Sequence, residues 1–364
     1  MPSPLGLETR EQRAVFVTYM ALWVGYGLLN ELAKRHHVTF NATAAVLLIA
    51  SYMFLTSDAL DKTPRATLPE RVYFLAAQMQ EHRALLVKYF IPSGLYVLYD
   101  VLSYVNLRQF DAPTYFLLLN FRMVITGVLH QLMFQKALNR NQWISLGVTT
   151  VGCAIKTLGA TSAKASTFAG VYNEVLLKKQ VKIPLNLQNI FMYLDSIVCT
   201  VMLSSTFAGV YNEVLLKKQV KIPLNLQNIF MYLDSIVCTV VMLVLGLTGQ
   251  TFAEVITPKN LSVLFSFYVL PMVLIMSFIG VVTSRFLKVL DSVRKSIASA
   301  LELVVLPLLG AVLFGMPITL SLIVSVGFVA SGVYIYSIPV ESSAIYEPVK
   351  KLTQDQDDIE KGKH

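Results

Sequence analysis

The stretch STFAGVYNEVLLKKQVKIPLNLQNIFMYLDSIVCTV, residues 205–240, decides the fold. An apolar run closes at Leu216, Lys217, Lys218, Lys221 and Pro223 make a short basic turn, and a second apolar run opens at Asn228. Extended outward, the runs cover residues 190–216 and 228–249, each long enough to cross a hydrocarbon layer about 30 Å thick as a helix. The stretch therefore reads as two membrane spans joined by a basic loop.

The same 36 residues also stand at 166–201, offset by 39 and identical in every position. Solenoid repeats keep a pattern while their letters drift, so full identity points to a recent segmental duplication laid over an older architecture. Span six then takes its second half, 207–216, from copy two and its first half, 190–203, from the tail of copy one. The first copy's 168–177 is too short to cross a bilayer and is expected to be a surplus segment.

Composition agrees with a membrane protein: 55% of residues are apolar and 14% charged, with a mean hydropathy of +0.60. Ordinary soluble domains carry about 25% charged residues. The expected fold is an all-α polytopic membrane protein of ten transmembrane helices, at 14–32, 42–56, 86–106, 114–134, 143–160, 190–216, 228–249, 262–287, 293–313 and 318–338. The domain reading is an N-terminus at 1–13, a first half at 14–160, the extra segment at 161–189, a second half at 190–338 and a charged tail at 339–364. Residues 57–83, with Pro64 and Pro69, read as a surface loop. The N-terminus, even-numbered loops and tail hold 18 Lys and Arg and the odd-numbered loops 8, which places both termini in the cytosol by the positive-inside effect. The net charge of +8 follows from those loops and calls for no nucleic-acid partner.

An ionisable group near the centre of a span costs roughly 2.5–3.5 kcal/mol and usually faces a cavity or a partner. The candidates are Asp100, Arg122, Lys156, Glu213, Asp234, Arg285, Lys288, Asp291, Lys295 and Glu302. Lys156, Arg285 and Lys288 lie near span ends, where long cations snorkel to the interface. Arg122 stands eight residues into its span and is read as cavity-facing. Lys288, Asp291 and Lys295, at i, i+3 and i+7, would share one face of a continuous helix and could line a site for a polyanion. Pro92, Pro271 and Pro307 fall inside spans, as in the broken helices of transporters. Tyr96, Tyr99, Tyr104 and Tyr115 offer aromatic surface that could stack on a base. The five histidines show no metal spacing, and neither a phosphate loop nor a nucleophile elbow is present. No enzyme, metal or cofactor is expected.

Several stretches carry a resemblance to a known family: FDAPTY (110–115) running into LNFRMVITG (119–127), QWISL (142–146), GVYNE (209–213) with Leu216 and Lys217, and KVLDSVRK (288–295). LFG (313–315) and GVYIY (332–336) are similar too. Together they resemble the nucleotide-sugar transporters of the drug/metabolite transporter superfamily. NIFMYLDSIVC (228–238) is most similar to the branch of UDP-galactose and CMP-sialic acid carriers, in particular UDP-galactose carriers of the senju type.

The resemblance implies two inverted five-helix halves and a central cavity. It implies exchange of a UDP-sugar, UDP-galactose first, for UMP across a Golgi membrane, and it leaves a homodimer open. Arg122 and Lys295 match the two bases that hold phosphate in the family, and Tyr211 and Glu213 match its span-six tyrosine and glutamate. Tyr99, Asp100, Asn228 and Lys288 complete the expected substrate site, while Tyr172 and Glu174 in copy one are expected to be idle. Where the family has paired asparagines this chain has Asp100 and Val101, and IASYM (49–53) replaces its second-span polar string. Three alternatives stay open: a CMP-sialic acid or other pyrimidine nucleotide-sugar carrier, a form made transport-defective by the duplication, and a proton- or metabolite-coupled carrier of the same superfamily.

Overall fold

A computed structural model of the chain describes residues 4–38, 40–41, 44–45, 47–49, 51, 68–109, 119–161, 185–219, 221–247 and 251–338. Among the described residues twelve α-helices follow a short 3-10 turn at Pro4–Gly6. They are α1 (Arg10–Arg35), α2 (Leu68–Glu81), α3 (Arg83–Gln109), α4 (Arg122–Phe134), α5 (Arg140–Thr161), α6 (Leu185–Lys218), α7 (Leu224–Val244), α8 (Phe252–Val255), α9 (Pro258–Leu264), α10 (Leu270–Val289), α11 (Ser292–Phe314) and α12 (Leu320–Ser337). Among the described residues no strand occurs, and α1, α7, α10, α11 and α12 are long and apolar enough to cross a membrane. The chain is a polytopic membrane protein, all-helical among its described residues.

Local chemistry sets the helix ends. Thr9 and Gln12 form a reciprocal capping box at the start of α1, which satisfies two backbone N–H groups that a helix start leaves open. Asp291 caps α11 by accepting from the Arg294 N–H at 2.7 Å. Gly315, at φ +63°, closes α11 in the left-handed region that glycine enters without strain.

The helices pack through small residues and short polar contacts, as expected where lipid is as apolar as leucine and hydrophobicity alone draws no helices together. The α5–α12 pair is the tightest. Ser145 Oγ donates to the Gly332 carbonyl at 2.7 Å, and a Cβ at Gly152 would stand 2.8 Å from Phe328 Cβ. Across α3 and α7, Tyr89 donates to Gln227 Oε1 at 2.7 Å and Ser93 to the Met231 carbonyl at 2.8 Å. Tyr19 of α1 packs on Phe286 of α10 with ring centroids 4.9 Å apart.

Four sequence expectations are corrected. Leu68–Glu81, read as loop, is a helix; Pro69 sits in its first turn, where a missing N–H breaks no bond. Leu75 and Met79 of that helix pack beside Leu85, Tyr89 and Phe230. The eighth span starts at Leu270 rather than 262, because Thr257 and Pro258 start the separate short helix α9. Pro271 therefore opens α10 instead of interrupting it, whereas Pro92 and Pro307 do lie inside helices. Lys288, Asp291 and Lys295 do not share one helix face, since the backbone breaks at Leu290 (φ −114°, ψ −136°) and Asp291 (φ −153°, ψ 167°).

Residues 190–203 and 207–216 join in one continuous helix, α6, of 34 residues. At 1.5 Å per residue it is about 51 Å long, well beyond the thickness of the hydrocarbon layer. The first copy's 168–177, with Tyr172 and Glu174, and the tail at 339–364 lie outside the described residues.

Candidate functional site

Glu213, fully buried on α6, is the centre of a polar plug. Its Oε1 accepts from Lys217 Nζ at 2.7 Å, one turn along the same helix. Its Oε2 accepts from the Ser292 backbone N–H at 2.8 Å and from the Ser292 hydroxyl at 2.6 Å. His130 Nε2 of α4 lies 3.7 Å from Oε1. Lys217 also donates to the Leu290 carbonyl, so one ion pair ties α6 to the end of α10 and the start of α11. A buried charge needs such full pairing, because desolvation otherwise outweighs the gain.

The plug sits at the N-terminal face of the bundle. Leu5 donates its N–H to Ser337 Oγ at 2.7 Å, and its carbonyl accepts from Arg294 Nε at 2.9 Å. Arg294 also bonds Asp291 Oδ2 at 2.8 Å. The N-terminal strap is thereby fastened to the end of α12 and the start of α11.

Two cations stand above the plug. Eight residues separate His130 from Arg122, about 12 Å along α4, and three separate Ser292 from Lys295, about 4–5 Å along α11. Between them Ser296 Oγ and Thr126 Oγ1 meet at 3.2 Å, which fixes the register of the two helices. Arg122 and Lys295 are both half-buried and close enough to repel one another electrostatically. Among the described residues neither side chain has a hydrogen-bond or ion-pair partner within 4 Å. Two like charges held together at the heart of a membrane bundle are costly unless an anion joins them.

Arg122 opens α4 rather than standing mid-helix: Asn120 and Phe121 form a turn, and α-helical bonding resumes after it. Asn120 Nδ2 donates to Thr157 Oγ1 of α5 at 3.2 Å. Farther from the plug, Glu302 of α11 lies in the electrostatic reach of Arg122 and of Lys156 on α5. Tyr19 of α1 is also near Ser299, Glu302 and Arg122.

The remaining expected residues divide. Asn228 of α7 is buried with its Nδ2 unpartnered among the described residues, as is Oδ1 of Asn212 on α6. Tyr99 packs near Val201, Met202, Leu119 and Ile125, and Tyr211 stacks on Phe207 with centroids 5.7 Å apart. Lys288 is half-buried in the last turn of α10, on the other side of the break from Lys295. The side chain of Asp100 lies outside the described residues. Asp234, six residues from Asn228 and so on another face of α7, is buried beside Cys238.

Of the three cations expected to snorkel, Arg285 does so: it is 59% exposed and pairs with Glu11 at 2.6 Å. Lys156 is instead half-buried, within electrostatic reach of Glu302. Sequence reasoning missed His130 and Ser292 as partners of Glu213; only the Glu213–Lys217 spacing of four was visible in advance.

The family model described as nucleotide-sugar transporter matches residues 14–337. The chain is 33% identical over 397 aligned positions to the UDP-galactose transporter senju of Drosophila melanogaster, covering 93% of this chain and 89% of that one. It is 26% identical to the UDP-galactose/UDP-N-acetylglucosamine transporter srf-3 of Caenorhabditis elegans, over 54% of this chain and 61% of that one. It is 32% identical to CMP-sialic acid transporter 2 of Oryza sativa subsp. indica, over 29% and 35% respectively. A solved crystal structure shares the fold with a TM-score of 0.56 at 11% identity, over 89% of this chain and 96% of the other.

Proposed function

The chain belongs to the nucleotide-sugar transporter family, a family of carriers and not of enzymes, and from that membership we propose that it exchanges UDP-galactose for UMP across the Golgi membrane. The observation that carries the reading is the pair Arg122 and Lys295, two half-buried cations on separate helices with no anionic partner within 4 Å among the described residues. A diphosphate bridging them supplies the missing negative charge, and Arg122 adds a planar fork of donors suited to phosphate oxygens.

The rest of the cavity is assigned accordingly. Asn228, whose amide donor, and Asn212, whose acceptor, lack a partner among the described residues, match the donor–acceptor edge of a nucleobase, and Tyr99, Tyr211 and Asp100 are assigned to the same part of the site. Lys288 adds positive potential at the mouth. Glu213 takes a different part from the one expected: its oxygens are already engaged, so it holds the N-terminal face shut rather than touching substrate.

In this reading the helices form two inverted five-helix halves of ten spans, both termini face the cytosol, and the plug is the cytosolic gate of a carrier open toward the lumen. A homodimer is compatible with the lipid-facing surface.

The test is counter-flow into proteoliposomes preloaded with UMP, over a panel of UDP-, CMP- and GDP-sugars. UDP-galactose uptake that depends on internal UMP is expected. Equal uptake with and without internal UMP would overturn exchange, and CMP-sialic acid as the best substrate would move the chain to its sister branch.

A further inference from the structure

Glu302 has no part in the phosphate site, yet it stands on the same helix stripe as Lys295. Lys295 and Glu302 are seven residues apart on α11, so they share one stripe of that helix and stand about 10 Å apart along its axis. Ser299, between them on that stripe, is beside Tyr19, and Leu306, continuing it, packs against Gly27 of α1. The stripe therefore looks inward, toward α1 and α4, and not to lipid. Glu302 is half-buried, and both Arg122 and Lys156 act on it electrostatically. Among the described residues it makes no ion pair within 4 Å.

We propose that Glu302 is a specificity-determining residue that admits neutral hexoses and excludes acidic ones. The inference rests on the nucleotide-sugar reading above. With the diphosphate between Arg122 and Lys295 and the base on the Asn212–Asn228 side, the sugar extends away from the plug, along α11, to the level of Glu302. An ionised carboxylate only accepts hydrogen bonds, so it welcomes sugar hydroxyls and repels a sugar carboxylate. Charge balance points the same way. Glu213 and Lys217 cancel each other, and Arg122, Lys156 and Lys295 against Glu302 leave two positive charges, which a diphosphate with a neutral sugar cancels. A uronic acid brings a third negative charge, placed beside Glu302, and like-charge juxtaposition costs several kcal/mol.

The probe pair is UDP-galactose and UDP-galacturonic acid, which differ only in a CH2OH replaced by a carboxylate. Wild-type, Glu302→Gln and Glu302→Asp proteins are compared in the UMP counter-flow assay and by ligand-induced thermal shift. Wild-type and E302D should prefer UDP-galactose, and the ratio of UDP-galactose to UDP-galacturonic acid uptake in E302Q should fall at least about tenfold. An unchanged preference in E302Q overturns the proposal. So does loss of both substrates in E302Q with E302D normal, which would make Glu302 only a counter-charge to Arg122. If the wild-type protein exchanges no nucleotide sugar, the underlying reading falls first, and that result is visible before any variant is made.

Discussion

Ser292 gives both its backbone N–H and its hydroxyl to one oxygen of Glu213, a residue 79 positions earlier, at 2.8 and 2.6 Å. A carboxylate on α6 thus completes the start of α11, the helix that carries Lys295 three residues on. The polar plug and one of the two paired cations are joined through one helix end.

Breaking that contact should destabilise the fold. Removing one partner of a buried ion pair costs about 3–5 kcal/mol, so Glu213→Ala should lower the melting temperature in detergent by many degrees. Ser292→Ala leaves the backbone bond in place and should cost about 1–2 kcal/mol. A Glu213→Ala protein as stable as wild type would show that the plug does not hold the bundle.

The two cations should behave as a unit toward nucleotide. Arg122→Ala and Lys295→Ala should each abolish measurable exchange with folding intact, and Arg122→Lys should keep part of it, since a point charge replaces the fork. Stabilisation by UMP in a thermal-shift titration should vanish in both alanine variants. Exchange or UMP stabilisation kept at the wild-type level in either alanine variant would show that the pair holds no phosphate.

At the α5–α12 crossing, Gly332 leaves no room for a methyl: a Cβ there would overlap Thr149 Oγ1. Gly332→Ala should therefore reduce stability, by about 1–3 kcal/mol for overpacking of this kind. Shortening the neighbour with Thr149→Ala should restore most of the loss in the double variant. Failure of the rescue, read by melting temperature, would place the strain elsewhere.

Arg294 ties the strap carbonyl of Leu5 to Asp291. Arg294→Ala should loosen residues 4–9 and speed limited proteolysis at the N-terminus, with UMP binding kept, because Arg294 lies outside the cation pair. Protection equal to wild type would show that buried Leu5 and Leu7 hold the strap without it.

The helix ends show where sequence reasoning reached and where it stopped. Apolar runs and the basic turn at 217–221 gave most helices, because those signals are local. Leu68–Glu81 escaped because its proline was read as a breaker when it lies in a first turn. Lys156 and Arg285 looked alike as end-of-span cations, yet one is half-buried within electrostatic reach of Glu302 and the other is exposed and pairs with Glu11. Their helices' rotation, which no local pattern records, makes the difference.

The duplicated string states the limit most directly. Residues 185–201 and 224–240 have the same letters, and both form helix, in α6 and α7. Thr200 is nevertheless exposed while its twin Thr239 is buried. By itself the sequence determined that these segments are apolar helices bound for a bilayer, since hydrogen bonding within the segment and transfer from water depend on composition alone. Only the tertiary structure decided which side of each helix meets lipid and which meets Arg122, Lys295 or Glu213. Lipid and protein interior are equally apolar, so the choice of neighbour comes from shape and polar pairing between helices distant in the chain.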